Sequence, residues 1–421
     1  MGEGNSFNPN ATRRRAKAKE GDRLSISHFK GNLHTHTRTD LTKPTTPEAI
    51  VGVRRGSNCG KVPLTLLAQY HAQEMGNAYL AITDHSRDGD PDLALKDVTN
   101  WFEGLYLGDD TWLQEQFGCS RAQLTGEDER AVKTKAAEQA EKLALYGDGR
   151  LEDVLAEIEA VSGTLPMRVF RGIEANLLPD GTYDTSMVKQ GKFELVNCSI
   201  HPNVDPSEFK GIVNDHGEYT DLVIRGIDHP RTNIMCHIGF DCGIQEGESL
   251  SKAEKKARAR VFIEDLDWDR IANAAIENNV AIEVNVKEVM DCIYQEMLDY
   301  DRFPTDSTTY REYFRQRLDE IVPILSSTQI GETLKPYFEK GLKIAINTDE
   351  HGNPYVNSEV TEEGVEGSFR DRDFRFWRCL KIAEGYFNNV FEDLCIGQEN
   401  IINTYSVEEL EFFLINLRYI L

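Results

Sequence analysis

Short, nearly continuous apolar runs recur along the chain, separated by longer segments that are polar or carry apolar residues at helical spacing. Seven of these runs have the length and composition of strands that are buried on both faces of a sheet. They cover 33–37, 78–83, 167–173, 193–200, 233–236, 280–284 and 342–346. Because helix-linked parallel strands produce this alternation, the pattern predicts an α/β fold with a parallel sheet.

The segments between the strands predict helices and several insertions. Apolar residues at helical spacing predict a helix from Pro63 to about Met75. The helical, acidic segment 87–165 exceeds an ordinary strand-to-helix connection, so we interpret it as an insertion, either a lid over a site or a buttress outside the sheet. Further insertions are predicted at about 41–62 and 288–335.

A single domain, residues 25–388, contains all seven predicted strands. It follows a polar, basic stretch, residues 1–24, which we expect to be a mobile arm. Residues 389–421 are predicted to close the domain, with an amphipathic helix from Val407 to Leu421.

The composition narrows the class of protein. The chain has 421 residues, and its 40% of hydrophobic residues is typical of a globular fold. A formal net charge of −24 repels nucleic acid and anionic membranes, except where a basic patch or bound cations reverse the field. The eight cysteines are scattered without a C-x-x-C pair, and no apolar run is as long as a membrane span. These features predict a cytoplasmic protein with reduced thiols and no membrane partner.

Metal-ligand side chains stand at the C-terminal ends of the predicted strands. His34 and His36 lie two apart in the first strand and therefore share a face. Almost every later strand also ends in a His, Asp or Glu, at the end where parallel α/β barrels carry their chemistry. The candidate ligands are His34, His36, His85, Glu174, His201, His237, Asp349 and His351.

This mixture of imidazoles and carboxylates suits Zn²⁺, Mn²⁺ or Fe²⁺. A catalytic zinc uses about three protein ligands. The larger candidate set therefore predicts two or three divalent metal ions, with Glu174 as the bridging carboxylate. Two ions about 3.5–4 Å apart can activate a bridging hydroxide and stabilise both oxygens of an in-line displacement, which is phosphoester chemistry.

The motifs LHTHT, AITDHS, RGIEANLLPDGTYD, CSIHP, IMCHIG, IEVN and NTDEH follow one another along the chain. In this order they resemble the PHP family (polymerase and histidinol phosphatase domains) over roughly residues 31–352. ITDHS and GIEANLLPDG are the most specific, and they are similar to the PHP module of bacterial family X DNA polymerases. No polymerase portion is present, so we expect a stand-alone member. The resemblance implies a distorted seven-stranded (β/α) barrel of PHP type with helical insertions.

The resemblance also implies a trinuclear site. The first metal would be held by His34, His36, Glu174 and Asp349, and the second by Glu174, His201 and His237. The third would be held by His85 and His351, together with a residue shortly after the first motif. The family often has a His or Asp there, where this chain has Leu41 and Thr42. Asp40 lies one place earlier and is our candidate for that ligand.

A substrate phosphate needs cationic partners. Arg38, Arg171, Arg231 and Lys287 lie beside the predicted strand ends, and arginine suits bidentate contacts with phosphate. We rank Arg38 and Lys287 first and predict that they are the catalytic residues that contact the substrate.

The leading functional prediction is a metal-dependent phosphoesterase acting on small phosphomonoesters. The acidic charge disfavours the alternative of a 3′-5′ exonuclease on DNA or RNA, because sequence-independent binding of nucleic acid depends on Lys and Arg. Another alternative is an adenosine-deaminase-like amidohydrolase, which also begins with a His-x-His pair but uses one metal. A non-catalytic scaffold that kept the barrel is a further alternative.

Overall fold

Seven parallel strands form the central sheet, and each pairs with the next in sequence order. They are β1 (Gly31–Asn32), β2 (Tyr79–Ile82), β3 (Arg168–Asn176), β4 (Leu195–Ser199), β5 (Ile234–Met235), β6 (Ala281–Asn285) and β7 (Lys343–Asn347). The protein is seen in a computed structural model that describes residues 28–37, 60, 62–73, 75–86, 91–144, 150–185, 188, 191–202, 209–239, 242, 252–286, 329–349, 356–361, 364–369, 391 and 394–415.

Within these residues the chain forms ten α-helices. They are α1 (Leu64–Gln73), α2 (Pro91–Gly108), α3 (Asp110–Phe117), α4 (Gly126–Ala144), α5 (Arg150–Ser162), α6 (His216–Asp228), α7 (Lys252–Glu264), α8 (Trp268–Asn278), α9 (Gln329–Glu339) and α10 (Val407–Leu414). Local sequence explains several boundaries. For example, α8 begins after Asp267, which caps the backbone N–H of Arg270, and ends at Asn279 in the left-handed conformation.

The sheet curves into a nearly closed barrel of the TIM type. In the described part of the chain, β1 and β7 share no ladder of backbone hydrogen bonds. Side chains join them instead. The backbone N–H of Leu33 donates to Asn347 Oδ1 at 3.1 Å. Asn403 accepts from the N–H of Ile346 at 2.7 Å and donates to the carbonyl of Gly31 at 3.1 Å. The C-terminal segment therefore completes the barrel wall.

The interior of the barrel is apolar at the end where the strands begin. Tyr79, Leu195, Ile234 and Ala281 are each the first residue of a strand, and all belong to one buried cluster. Leu410 and Phe413 of α10 pack into the same cluster. Among the described residues, the buried polar positions of the interior, such as Glu174 and Glu283, lie toward the other end of the strands.

Two further apolar cores lie outside the barrel wall. In the larger one, α6, α8 and α9 pack against the outward residues of β6 and β7, as shown by Leu222, Ile271, Leu334, Ile282 and Ile344. In the smaller one, α1 and α5 pack on β2 and β3. Burial of each large aliphatic side chain contributes about 1.5–3 kcal/mol.

The structure revises the predicted insertion 87–165. Val154 and Ile158 of α5 are buried against Leu64 and Leu67 of α1, so α5 is an ordinary barrel helix and a buttress. The helices α2 and α4 pack on each other. The insertion is therefore the preceding unit, α2 to α4.

Strands β2 to β7 confirm the predicted positions to within a few residues. The first strand is an exception, since it covers Gly31–Asn32 rather than 33–37. A hairpin of β8 (Val356–Thr361) and β9 (Gly364–Phe369) follows the barrel and was absent from the sequence prediction, because its residues lack a sustained apolar alternation. The predicted arm, 1–24, and most of the insertions at 41–62 and 288–335 lie outside the described residues.

No helix among the described residues combines the length and apolar character needed to cross a membrane. The described cysteines, Cys119, Cys198, Cys236, Cys242 and Cys395, are all free thiols.

Candidate metal centre

The two histidines of the first motif point to the same side although they follow β1 rather than lie in it. Thr35, between them, faces the opposite way and donates from its hydroxyl to the carbonyl of Ala81 at 2.7 Å. The rings of His34 and His36 are consequently neighbours, with centroids 5.1 Å apart. The predicted strand was misplaced, but the predicted shared face is present because the segment remains extended.

Glu174 lies at the middle of the imidazoles. It is buried and lies inside β3, which runs on to Asn176, rather than at a strand end. Its Oε2 is 3.3 Å from His34 Nε2, 3.4 Å from His36 Nε2 and 2.8 Å from His85 Nδ1. Its Oε1 is 2.7 Å from His237 Nε2 and 3.5 Å from His201 Nε2. Each carboxylate oxygen therefore faces a different group of imidazoles.

Asp349 completes the first group. Its Oδ1 lies 3.1 Å from His36 Nε2 and 3.8 Å from His34 Nε2, and its Oδ2 accepts from Asn285 Nδ2 at 3.1 Å. Ligand atoms about 2.0–2.2 Å from a tetrahedral ion are roughly 3.4 Å from one another. The spacings among His34, His36, Glu174 and Asp349 therefore match the shell of one ion.

Two buried polar atoms indicate whether a cation fits between the histidines and the carboxylates. His34 Nε2 and Glu174 Oε2 form no hydrogen bond with any other described residue. A buried polar atom without a partner is costly. A divalent ion between these atoms would satisfy both, so the residues present fit a metal.

The second group, His201 and His237 around Glu174 Oε1, has unusual backbone geometry. His237 has φ of +23°, and Asp349 of the first group has φ of +46°. Residues other than glycine rarely adopt positive φ values, and backbone strain of this kind concentrates at functional sites. The local backbone preference of His237 and Asp349 does not favour these conformations. Contacts with the surrounding structure therefore hold the two residues in them.

Burial and neighbouring charges shift the pKa values of several residues in the cluster. Burial lowers the pKa of His201 to about 3, so this imidazole is neutral and ready to bind a metal. Burial opposes ionisation of Glu174, but His85 and His34 outweigh it and hold the pKa of Glu174 well below its usual value. Burial likewise opposes protonation of His34, yet Glu283 and Glu174 raise its pKa well above 6.5. The pKa of His237 is also raised, since Glu174 outweighs its burial.

The structure brings seven of the predicted ligands together. They are His34, His36, His85, Glu174, His201, His237 and Asp349. The ring of His85 lies between the two groups, with centroids 4.7 Å from His36 and 5.1 Å from His201. Asp40, His351, Arg38 and Lys287 lie outside the described residues, so the third metal site and the two catalytic residues stay predictions.

Two of the four basic residues considered for phosphate contacts, Arg171 and Arg231, have other neighbours in the structure. The guanidinium Nε of Arg171 is 3.2 Å from Glu194 Oε2, and Glu194 precedes the first residue of β4. Arg231 precedes β5 and lines a cavity of about 510 Å³ with Phe193 and Pro230. Alternation along β3 places Arg171 on the same outward face as Ile173, opposite to Glu174, and Arg231 stands before β5 rather than after it.

Two carboxylates of the site were missed from sequence. Glu283 Oε1 is 2.6 Å from His34 Nδ1. Asp84 accepts from both the backbone N–H and the hydroxyl of Thr37, at 2.6 and 2.7 Å. The sequence offered one indication of Glu283, because it is an acidic residue between Ile282 and Val284 in an otherwise apolar strand.

Comparison of the sequence with models of known protein families gave no match, and a search of curated proteins gave none either. Membership of the PHP family therefore stays a prediction from the motifs.

Proposed function

We propose that the protein is a PHP-type metal-dependent phosphoesterase that binds two or three divalent ions and hydrolyses phosphate esters, small phosphomonoesters in particular. The observation that carries the proposal is the position of Glu174, whose Oε2 faces one group of imidazoles and whose Oε1 faces another. A carboxylate shared in this way is the arrangement by which proteins hold two ions close together.

The first ion would be held by His34, His36, Asp349 and Glu174 Oε2, and the second by His201, His237 and Glu174 Oε1. His85, at 2.8 Å from Glu174 Oε2, would serve the first or a third ion. When bound, the ions supply an activated water nucleophile and neutralise the charge of the phosphoryl group. The donors are nitrogen and oxygen atoms, which suit Zn²⁺, Mn²⁺ or Fe²⁺.

The chain's own residues prepare this end of the barrel for an anionic substrate. The apolar residues at the starts of the strands, closed by α10, keep water from entering beneath the site. Asn285 holds Asp349 by a hydrogen bond to the oxygen that faces away from the histidines. Arg38 and Lys287 are the proposed contacts to the phosphate.

The alternative functions differ in metal number. An adenosine-deaminase-like amidohydrolase uses one ion, whereas two imidazole groups around one carboxylate favour two or more. Metal analysis of the purified protein would test this, since about one ion per chain supports the amidohydrolase and two or three support the phosphoesterase.

Activity is best tested with the Mn²⁺-loaded protein on small phosphomonoesters and on labelled DNA and RNA oligonucleotides in parallel. His201→Ala should abolish activity, and His216→Ala, a histidine stacked on Phe262 outside the site, should retain it. Phosphate release with intact oligonucleotides supports the proposal. Shortened oligonucleotides would instead make the protein an exonuclease. Equal activity in His201→Ala would mean that the histidine cluster does not carry the reaction.

A further inference from the structure

Glu283 is a fully buried carboxylate directly beneath the candidate metal centre. Alternation along β6 places Ala281, Glu283 and Asn285 on the inner face of the barrel, and Ile282 and Val284 in the outer core. Ala281 belongs to the apolar floor, and Asn285 hydrogen-bonds the metal ligand Asp349. Glu283 therefore occupies the layer between the floor and the ligands.

Its two oxygens contact one ligand from each group. Oε1 lies 2.6 Å from His34 Nδ1, the ring nitrogen that faces away from Glu174. Oε2 accepts from the backbone N–H of His237 at 3.1 Å. The second contact is made at a residue with φ of +23°, where the backbone needs outside support.

The contact with His34 is a hydrogen bond rather than part of another metal site. His34, Cys236 and Glu283 form a buried group of ligand-type atoms. However, Glu283 Oε1 also accepts from Asn347 Nδ2 at 3.1 Å and Oε2 accepts from the backbone N–H of His237, so both oxygens already have protein donors. A separation of 2.6 Å is that of a charge-assisted hydrogen bond. The proton therefore lies on His34 Nδ1, which leaves Nε2 as the ligand atom.

We propose that Glu283 is a positioning residue for both metal groups, which selects Nε2 of His34 for the first ion and holds the backbone of His237 for the second. The inference rests on the proposed metal centre and extends it to a residue that contacts no ion. Carboxylate partners of this kind fix the ring orientation of ligating histidines, and their loss costs about 10- to 100-fold in metal affinity.

Glu283 is itself held by the residues that close the barrel. Asn347 Nδ2 donates to Glu283 Oε1 at 3.1 Å. Asn347 Oδ1 accepts from the N–H of Leu33 and from Asn403 Nδ2, at 3.1 and 3.2 Å. A continuous chain of hydrogen bonds thus runs from the C-terminal segment to His34, and it fixes Glu283 whether or not an ion is bound.

The test is a Mn²⁺ titration of the full-length protein followed by electron paramagnetic resonance of free Mn²⁺. For Glu283→Ala we expect affinity to fall about 10- to 100-fold at both groups. Glu283→Gln should give a smaller loss, since an amide can accept from His34 or from His237 but not from both. The control is Glu194→Gln, a carboxylate paired with arginines at the opposite end of the sheet, and its affinity should equal that of the wild type.

Unchanged Mn²⁺ affinity in a folded Glu283→Ala protein would overturn the positioning role while leaving the metal centre intact. A wild-type protein that binds no Mn²⁺ or Zn²⁺ would overturn the proposed function, and this inference with it.

A measurement on the wild type decides the matter if the variants do not fold. Nitrogen-15 spectra of histidine-labelled, Zn²⁺-loaded protein should show the proton of His34 on Nδ1. A His34 ring coordinated through Nδ1 would contradict the proposal.

Discussion

Glu174 shows how one buried residue brings the side chains of the whole site together. Its side chain is inaccessible to solvent, and its two oxygens are the points at which the imidazole groups converge. Placing a carboxylate there would be destabilising without positive partners. His34 and His237, whose pKa values are raised, fill that role in the metal-free protein, and divalent ions would replace their protons.

Glu174→Gln should therefore remove metal from both groups. The amide has no charge and cannot bridge two ions, so the loss of affinity should exceed the about 10- to 100-fold cost of losing an outer partner. Metal analysis after gel filtration would show fewer than one ion per chain. Glu264→Gln, which alters a partly exposed pair with Arg260, is the control and should keep the wild-type content. Equal metal content in both variants would contradict the bridging role.

Metal binding should release protons, and the sign follows from the pKa shifts. The pKa values of His34 and His237 are raised above 6.5 in the metal-free protein. At low pH both rings are protonated, which stabilises the metal-free protein. This stabilisation is lost as the pH rises through the raised pKa values. A metal needs the neutral rings. Mn²⁺ affinity should thus keep rising with pH above 6.5, where an ordinary imidazole is already mostly neutral. Calorimetry in two buffers of different ionisation enthalpy would measure the protons, and the absence of release would contradict this picture.

At the scale of elements, a short C-terminal segment links β7 to β1 in the described part of the barrel, where no further strand lies between them. Ile401 forms an isolated parallel bridge with Ile344 of β7, and Asn403 hydrogen-bonds both β1 and the end of β7. A small number of side-chain contacts therefore replaces a complete ladder.

Asn403→Ala should destabilise the fold by about 3 kcal/mol, since the N–H of Ile346 and the carbonyl of Gly31 lose their partner and each such loss costs about 1–3 kcal/mol. Urea unfolding would measure the change. Asn273→Ala, at an exposed position of α8, is the matched control and should have little effect. Equal stabilities would mean that the segment does not support the closure.

The buttress helix α5 carries a carboxyl whose ionisation opposes folding. Burial, together with the negative charge of Asp84, raises the pKa of Glu157 to about 7. Because its pKa is higher in the folded than in the unfolded chain, Glu157 favours the fold below about pH 4.5, and this benefit disappears as the pH rises toward about 7.

Glu157→Gln should therefore stabilise the protein at pH 8 and leave it nearly unchanged at pH 4. The shift corresponds to at most about 3 kcal/mol, and solvent screening of this half-buried group reduces the expected gain to about 1 kcal/mol. Thermal unfolding at the two pH values would measure it. Glu159→Gln, exposed on the same helix, is the control. A gain independent of pH would contradict the assignment to ionisation.

At the scale of the whole molecule, an acidic protein encloses groups of histidines and carboxylates that could hold metal ions. The formal charge of −24 raises the local concentration of divalent ions around the chain. The same field disfavours long polyanions, which is the reason for preferring small phosphate esters.

Metal binding should stabilise the fold as a whole. Chelator-treated protein should unfold at a lower temperature than the Mn²⁺-loaded protein. An ion present at 100 times its dissociation constant raises the free energy of unfolding by about 2.7 kcal/mol. The unfolding temperature should rise with Mn²⁺ concentration, whereas in Glu174→Gln it should stay flat. A wild-type protein insensitive to Mn²⁺ would contradict the metal centre.

The amino-acid sequence by itself determined the strands β2 to β7, helix α1 and the residue types of the site, because these depend on local periodicity and on which residues follow each apolar run. His34 and His36 could be paired in advance from their spacing alone. The hairpin β8–β9 could not be predicted, because its residues lack an alternating apolar pattern and only the pairing between the two segments shows that they are strands.

Only the tertiary structure decided which oxygen of Glu174 faces which imidazole, that Arg171 pairs with Glu194, and that Glu283 contacts both His34 and His237. Each of these facts depends on contacts between residues far apart in the chain. His34 meets Glu283 across 249 positions of sequence, for example. Local patterns specify where a strand runs, but the direction and partner of a buried side chain depend on how the strands close into a barrel.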